Sequence, residues 1–352
     1  MGLNIRTFRR AGLAALALPA MLLGTTAAQA QAQSAASATA PAETFEQFIN
    51  GPNGSVLDGR QADTTVGTGL KQNLFAVARP DKGRIGVAAL DLSTGQSVSI
   101  MGDQAFPMAS TSKIAIAATY LAGVDKGIYS LTNTYPLMVP VASRPFSSKV
   151  APVAPGMQMS ASTLIERMIT RSDNAATDAL LKAVGGPAQV TKWLRAHGFQ
   201  KTRIDRDIAT LVRDDGEFDP ATTVDVRDST PPEEMVRLVA GIYKGDWLSR
   251  GSTDVLVGAM TRTITGRNRI KAGLPTGTDF GHKTGTLNNT ASDVGFIKMP
   301  DGRVVAVAIY VTGQGGKPQR DARIAEITRT LYNGFANPRL AVGGANDNTR
   351  SQ

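Results

Sequence analysis

The sequence predicts a mixed fold of the α/β (α+β) type: an antiparallel sheet lobe with flanking helices, into which an all-helical lobe is inserted. Strand-like segments occur near residue 84 and again after residue 280. The stretch between them carries apolar residues at helical spacing, and one amphipathic helix closes the chain. Strands at both ends and helices in the middle imply a sheet assembled from both ends, so the boundaries are placed at 44–108 with 267–338 for the sheet lobe and 109–266 for the helical lobe.

The first thirty residues look like export information. Arg6, Arg9 and Arg10 make a basic start, Ala11 to Leu23 is an apolar run too short to span a bilayer, and Ala28-Gln29-Ala30 is an A-x-A cleavage site. A signal peptide over 1–30 predicts a periplasmic or secreted protein. The context of Arg9-Arg10 fits ordinary secretion better than twin-arginine export. Residues 31–43, rich in Ala, Gln and Ser, read as a disordered linker, and 339–352 as a disordered tail.

Within the folded part, Arg84 to Asp91 reads as a strand, Ser93-Thr94-Gly95 as a turn and Gln96 to Met101 as the return strand. Ile114 to Val124 is an apolar helical run, with Ser110 at its start. Ser160 or Ser162 can cap a helix reaching Arg171, and Thr163 with Glu166 has capping-box spacing. A further helix runs from about Ala175 to Val184. Phe280–Thr286, Asp293–Met299 and Val304–Thr312 read as three strands joined by Asn288-Asn289 and Pro300-Asp301-Gly302 turns. Ile324, Ile327, Leu331 and Phe335 form the apolar face of a terminal helix over Arg320 to Phe335.

Composition narrows the chemistry. The chain has no cysteine, which excludes disulfides and thiolate chemistry. Its two histidines, His197 and His282, form no recognisable metal-binding word, so neither metal nor cofactor is expected. The formal charge of +9 includes three arginines of the leader, and the remaining Lys and Arg are scattered. That distribution suits modest attraction to anionic ligands or the cell envelope and is no nucleic-acid footprint. No segment after the leader is apolar enough to span a membrane, and a monomer is expected.

Three short words occur in order: Ser110-Thr111-Ser112-Lys113, Ser172-Asp173-Asn174 and Lys283-Thr284-Gly285. The first alone is weak, since a chain this long yields about one S-x-x-K by chance. All three, at a helix start, a loop and a strand, are specific for serine enzymes that attack an amide or lactam carbonyl. A serine hydroxyl needs a proton acceptor. Lys113 lies one helical turn after Ser110 and can accept its proton if burial and neighbouring charge lower the lysine's pKa. Ser172 can pass a proton to the leaving nitrogen, and Asn174 can bind a substrate amide. Lys283 and Thr284 offer a charge and a hydroxyl to a substrate carboxylate. The amides of Ser110 and Thr286, the latter just past Gly285, suit an oxyanion hole.

From about Gly83 to Phe335 the chain resembles the class A serine β-lactamases. The likeness is carried by Phe106 to Lys113, Asp205-Arg206, Arg227 to Pro231, Arg269 to Pro275 and His282 to Thr286. The resemblance implies a β-lactamase/transpeptidase-like fold with a cleft between sheet and helices. Ser110 is then the acylated nucleophile, Lys113 a base, Ser172 the proton shuttle and Asn174 a substrate binder; Lys283, Thr284 and Thr286 bind the carboxylate. It also implies that Arg206 and Asp228 clamp an omega loop.

The likeness breaks at one place. After Asp-Arg the family pattern is x-E-x-x-L-N, whereas this chain has Asp207-Ile208-Ala209-Thr210-Leu211-Val212. Leu211 stays in register, so the family's water-holding glutamate and asparagine fall on Ile208 and Val212. Two aliphatic groups are expected to leave that spot dry. The loop is longer than the family's and contributes Asp214, Asp215, Glu217, Asp219 and Asp225, of which Glu217 is the candidate replacement base. The family's additional cleft arginine has no counterpart between Asn288 and Asp293. Three readings follow. One is an exported β-lactam-acylated hydrolase with a slow or non-standard deacylation. The second is a DD-peptidase or esterase of the penicillin-binding kind, acting on cell-wall peptide-like substrates. The third is a non-catalytic β-lactam binder or sensor.

Overall fold

The computed structural model describes residues 68–337. The expected signal peptide, linker and tail lie outside the described residues.

The described chain opens with helix α1 (Thr68–Ala78) and the hairpin β1 (Gly83–Asp91) and β2 (Ser97–Ile100). The short strand β3 (Phe106–Pro107) leads through a 3-10 turn (Ala109–Ser112) into α2 (Lys113–Asp125). A second hairpin, β4 (Thr134–Pro140) and β5 (Val153–Ser160), precedes helices α3 (Ala161–Thr170), α4 (Asn174–Ala183) and α5 (Pro187–Ala196). The long loop that follows holds α6 (Ile208–Arg213) and ends at β6 (Ser229–Thr230), which pairs with β3. Helices α7 (Pro232–Lys244), α8 (Arg250–Thr261) and α9 (Ile270–Gly273) come next. The strands β7 (Phe280–Leu287), β8 (Thr290–Lys298) and β9 (Val304–Gly313) and helix α10 (Lys317–Ala336) complete the fold.

The five-stranded sheet has the order β2-β1-β9-β8-β7, and every neighbouring pair is antiparallel. The first strand therefore lies beside the last. Alternation with period two divides the side chains between the faces. Ile85, Val87, Val307 and Ile309 pack with Leu70 and Leu74 of α1 and Ile324, Ile327 and Leu331 of α10. Ala88, Ala306, Tyr310, Val294 and Phe296 face the other way, onto Met235, Val236 and Val239 of α7. With both faces covered, β8 and β9 are almost wholly buried; β9 accordingly reads as a continuous apolar run, whereas β8 also buries Thr290, Ser292 and Asp293.

The second core continues into the helices around α2. That helix is apolar all round, and Ile114 to Ala118 are each fully buried. A helix with no polar face has nowhere to go but the centre of a bundle.

One local expectation is corrected. The start of α3 is capped by Ser160, whose Oγ accepts from the Thr163 amide at 3.3 Å. Glu166 does not reach back to close a capping box with Thr163; its carboxylate pairs with Arg262 at 2.7 Å. An arginine fork binds a carboxylate more strongly than one backbone amide does.

Candidate active site

Three chain segments converge on one point. The first is the 3-10 turn that carries Ser110. Thr111 Oγ1 donates to Met108 O at 2.7 Å and Ser112 Oγ to Ala109 O at 2.8 Å, so the turn is closed by its own hydroxyls. Ala109 holds a left-handed backbone, φ 48°. A non-glycine residue there stores strain, and such strain gathers at functional sites. Behind the turn, the Met108 amide donates to Asp228 O at 2.9 Å, which ties it to the end of the loop carrying α6.

The second segment joins α3 to α4. Ser172 also has a left-handed backbone, φ 60°. Asp173 caps α4 and forms an ion pair with Arg167 at 2.5 Å, which fixes the bend. The third is β7, at the edge of the sheet. Its Gly285 passes so close to the turn that an added Cβ would lie 2.7 Å from Met108 O and 2.4 Å from Ser292 Oγ. Only glycine lets the strand run against the turn here.

Lys113 is fully buried, and its Nζ donates to Ser172 O at 2.8 Å, Ser172 Oγ at 3.2 Å and Asn174 Oδ1 at 2.7 Å. Lys283, also fully buried, donates to the same Ser172 Oγ at 3.0 Å and to Thr284 O at 2.8 Å. One hydroxyl thus lies between two amines. Burial lowers Lys113 to about 7, against the opposing pull of Asp178 and Asp173. Burial and the neighbouring Lys113 hold Lys283 well below the ordinary lysine range. In a dry site each amine disfavours the other's charge, and a lysine that gives up its proton is a proton acceptor.

The structure brings Lys113, Ser172, Asn174, Lys283 and Thr284 into direct or one-step contact, with Ser110 on the adjoining turn. Thr284 Oγ1 bonds Thr265 Oγ1 at 2.7 Å. Thr286 is exposed at the strand's outer end. Its Oγ1 accepts from Arg269 Nη2 at 2.7 Å.

Arg269 is a residue that sequence reasoning missed. No arginine lies between Asn288 and Asp293, but a guanidinium arrives at the end of β7 from the segment before α9. It is buried, donating to Gly285 O at 2.7 Å and Ser292 O at 2.9 Å, with Asp321 of α10 at 2.6 Å as its ion-pair partner. The only signal in the sequence was its place at the head of the Arg269–Pro275 match.

The loop carrying α6 is clamped at its base. Arg206 Nε donates to Asp228 Oδ2 at 2.6 Å, and Asp228 Oδ1 accepts from the amides of Asp205 and Arg206 at 2.8 and 3.1 Å. Ile208 and Val212 are four residues apart on α6. Ile208 is 3% exposed, whereas Val212 is 50% exposed. The expectation that both side chains dry the spot is corrected: the first turn, Ile208 to Leu211, is buried, the cover ends before Val212, and the exclusion of water rests on Ile208. The loop's acids are committed elsewhere. Glu217 pairs with Arg227 at 2.6 Å, and Asp225 pairs with the same arginine at 2.7 Å. Asp214, held at about 2 by Arg213, also accepts from the Phe146 amide at 2.8 Å. Asp215 accepts from the Asn288 amide and Asp219 from Asn289 Nδ2, each at 2.8 Å. Glu217 lines a small cleft under the loop with Arg206, Leu211 and Phe218, and Ser110 is not part of its wall.

A second missed residue is Asp178 on α4. Its carboxylate accepts from the amides of Ile208 at 2.7 Å and Ala209 at 2.8 Å. In sequence it reads as one more polar residue of a helix.

The profile of the Beta-lactamase enzyme family matches residues 69–335. The chain is 32% identical over 276 residues to "Beta-lactamase AST-1" of Nocardia asteroides, covering 76% of this chain and 85% of that one. It is 28% identical over 274 residues to "Beta-lactamase VEB-1" of Pseudomonas aeruginosa, covering 74% and 88%. The solved structure of an "Ancestral (GNCA) Beta-lactamase class A" superposes with a TM-score of 0.66 at 36% identity, over 76% of this chain and all of that one. Fold, site and likeness agree: the chain belongs to the class A serine β-lactamase family.

Proposed function

We propose that the protein is an exported serine hydrolase that β-lactams acylate on Ser110, and that it releases the acyl group slowly. The observation that carries this reading is the placement of Ser172 Oγ between the Nζ atoms of Lys113 and Lys283, at 3.2 and 3.0 Å. Lys113, lowered to about 7 by burial, takes the Ser110 proton as its oxygen adds to the lactam carbonyl. The amides of Ser110 and Thr286 hold the oxyanion. As the C–N bond breaks, Ser172 gives its proton to the ring nitrogen and recovers one from a neighbouring ammonium. Asn174 holds the substrate's amide; Lys283, Thr284 and Thr286 hold its carboxylate, with Arg269 behind Thr286.

Hydrolysis of the ester needs a water and a base on its other side. Ile208 offers neither, and the loop's acids are paired elsewhere. Release then runs through Lys113 and Ser172, which face the ester from the leaving-group side and serve a water poorly.

A D-alanyl-D-alanine peptidase or esterase is the second reading. It is favoured by β7 being an edge strand, whose free backbone groups can pair with an extended peptide. A peptide or ester turned over faster than penicillin would select it. A non-catalytic β-lactam sensor is the third, and an adduct that never hydrolyses would select that.

The site is tested by labelling with a fluorescent penicillin. The unsubstituted protein should take up one label, carried by the peptide containing Ser110, and Ser110→Ala should take up none. Label retained by Ser110→Ala would refute the assignment.

A further inference from the structure

Arg320, one turn into α10, is a buried cation that the reaction does not use. It is 8% exposed, and no acid among the described residues lies within ion-pair distance of it. The acids around it are engaged elsewhere. Asp321 pairs with Arg269 at 2.6 Å and with Lys317 at 2.5 Å. Asp219 accepts from Asn289 Nδ2 at 2.8 Å, the opposite end of the carboxamide that Arg320 touches. Arg320 Nη1 donates to Gly315 O and, at 3.1 Å, to Asn289 Oδ1, while its Nε is buried without a partner. Two neutral oxygens do not neutralise a guanidinium, and a buried charge without a counter-charge is strongly unfavourable.

The direction of this side chain is set by the helix. Helical side chains lean toward the N-terminus, and the bond to Gly315 O holds the guanidinium against the loop that opens α10. That opening is itself unsatisfied. α10 has 20 residues, its N-cap is Gly316, no side chain caps it, and its first turn holds no acid. The Arg320 amide donates to Gly316 O at 3.1 Å. Pro318 has no N–H, and the amides of Gly316, Lys317 and Gln319 meet no acceptor among the described residues. The positive end of the helix dipole lies at the same place. Residues 315 to 319 are exposed, so the head of the helix is open to solvent.

We propose that the head of α10 binds a phosphate-type oxyanion between Arg320, Lys317 and the free amides of the first turn. The uncompensated guanidinium and the uncapped helix are independent features, and both call for negative charge at one spot. A tetrahedral oxyanion offers oxygens to an arginine fork and to backbone amides at once. Lys317 spends one of its three donors on Asp321 and has others to give.

Inorganic phosphate is titrated calorimetrically into the protein, with ionic strength held constant by sodium chloride so that diffuse attraction is screened. Phosphate should bind at a single site and raise the thermal midpoint. Arg320→Gln should weaken binding at least about tenfold, since it removes a charged donor. Lys317→Gln should weaken it about threefold, as expected for an exposed charge. Arg323→Gln takes one positive charge from the same helix, but Arg323 donates to Val77 O, and the affinity should not change. A loss in Arg323→Gln equal to that in Arg320→Gln would reduce the effect to net charge and overturn the site. Should Arg320→Gln not fold, Lys317→Gln decides, and an unchanged affinity there overturns the site. Vesicles of phosphatidylglycerol tested alongside separate two sources of the same group. Binding of inorganic phosphate supports a site for the free ion, and binding of vesicles alone, weakened in Lys317→Gln and not in Arg323→Gln, supports a lipid headgroup. Binding of neither overturns the site. No step requires acylation of Ser110, so the outcome is independent of the proposed function.

Discussion

On the proposed function, the identity of two side chains sets how long an acyl-enzyme lives. Ile208 fills a buried position where the family places an acid, and Val212 offers no polar group at the surface beside it. Ile208→Glu with Val212→Asn should shorten the penicilloyl adduct's lifetime by about a hundredfold, the ordinary contribution of a positioned general base. An unchanged lifetime by intact mass would mean that another step limits release. Lys113 makes a second residue-scale statement. In the proposed mechanism its neutral form is the base, and burial brings it from 10.5 to about 7. The acylation rate should therefore climb as pH rises through about 7 and level off above it. A profile flat from weakly acid to weakly alkaline pH would remove Lys113 from that role. At Gly285, an alanine Cβ would meet Met108 O, which is backbone and cannot turn aside. Gly285→Ala should cost about 1–3 kcal/mol of stability and slow labelling of Ser110, checked by thermal midpoint and fluorescent penicillin uptake.

At the scale of elements, the site depends on how segments far apart in sequence are held together. Strand β7 brings Lys283 to Ser172, and α4 brings Asp178 to the loop carrying α6. The loop end is tied to the turn of Ser110 through β3 and β6 and the Met108–Asp228 bond. The sequence showed the three triplets and the elements that carry them, because each has a local signature: an apolar helix start, a polar break between helices, an alternating strand. It did not show β4 and β5. Pro136, Pro140, Pro155 and Gly156 interrupt any alternation, and β5 is largely exposed, so no buried face imposes a period. Nor did it show Asp178 or Arg269. The partners of Asp178 are 30 and 31 residues away, and those of Arg269 between 16 and 52, and no local pattern carries such pairings. The Val212 expectation failed for a related reason. Spacing of four puts two residues on one helix face but does not say how much of that face is covered.

For the whole molecule, the sheet built from both ends was legible because β9 is a continuous apolar run, β1 is apolar from Ile85 to Leu90 and α10 has a clear apolar face. The same architecture carries a long-range constraint. Asp321 on the last helix pairs with buried Arg269, which in turn holds Gly285, Ser292 and Thr286. The last described helix thereby supports the end of β7 to which the proposed function assigns the substrate carboxylate. Asp321→Ala leaves a buried guanidinium without its counter-charge and should cost about 3–5 kcal/mol. The drop would be read from the denaturant midpoint, and a loss under about 1 kcal/mol would show the pair to be well solvated. The central claim is that this fold is acylated on Ser110 and then stalls because Ile208 replaces the acid that would activate water. Its most direct test is the intact mass of the protein with excess benzylpenicillin, followed over time. The account predicts one penicilloyl adduct on Ser110 that forms quickly and outlasts many times its formation time. Penicilloate accumulating at a catalytic rate with no persistent adduct, or an adduct on any other residue, would contradict it.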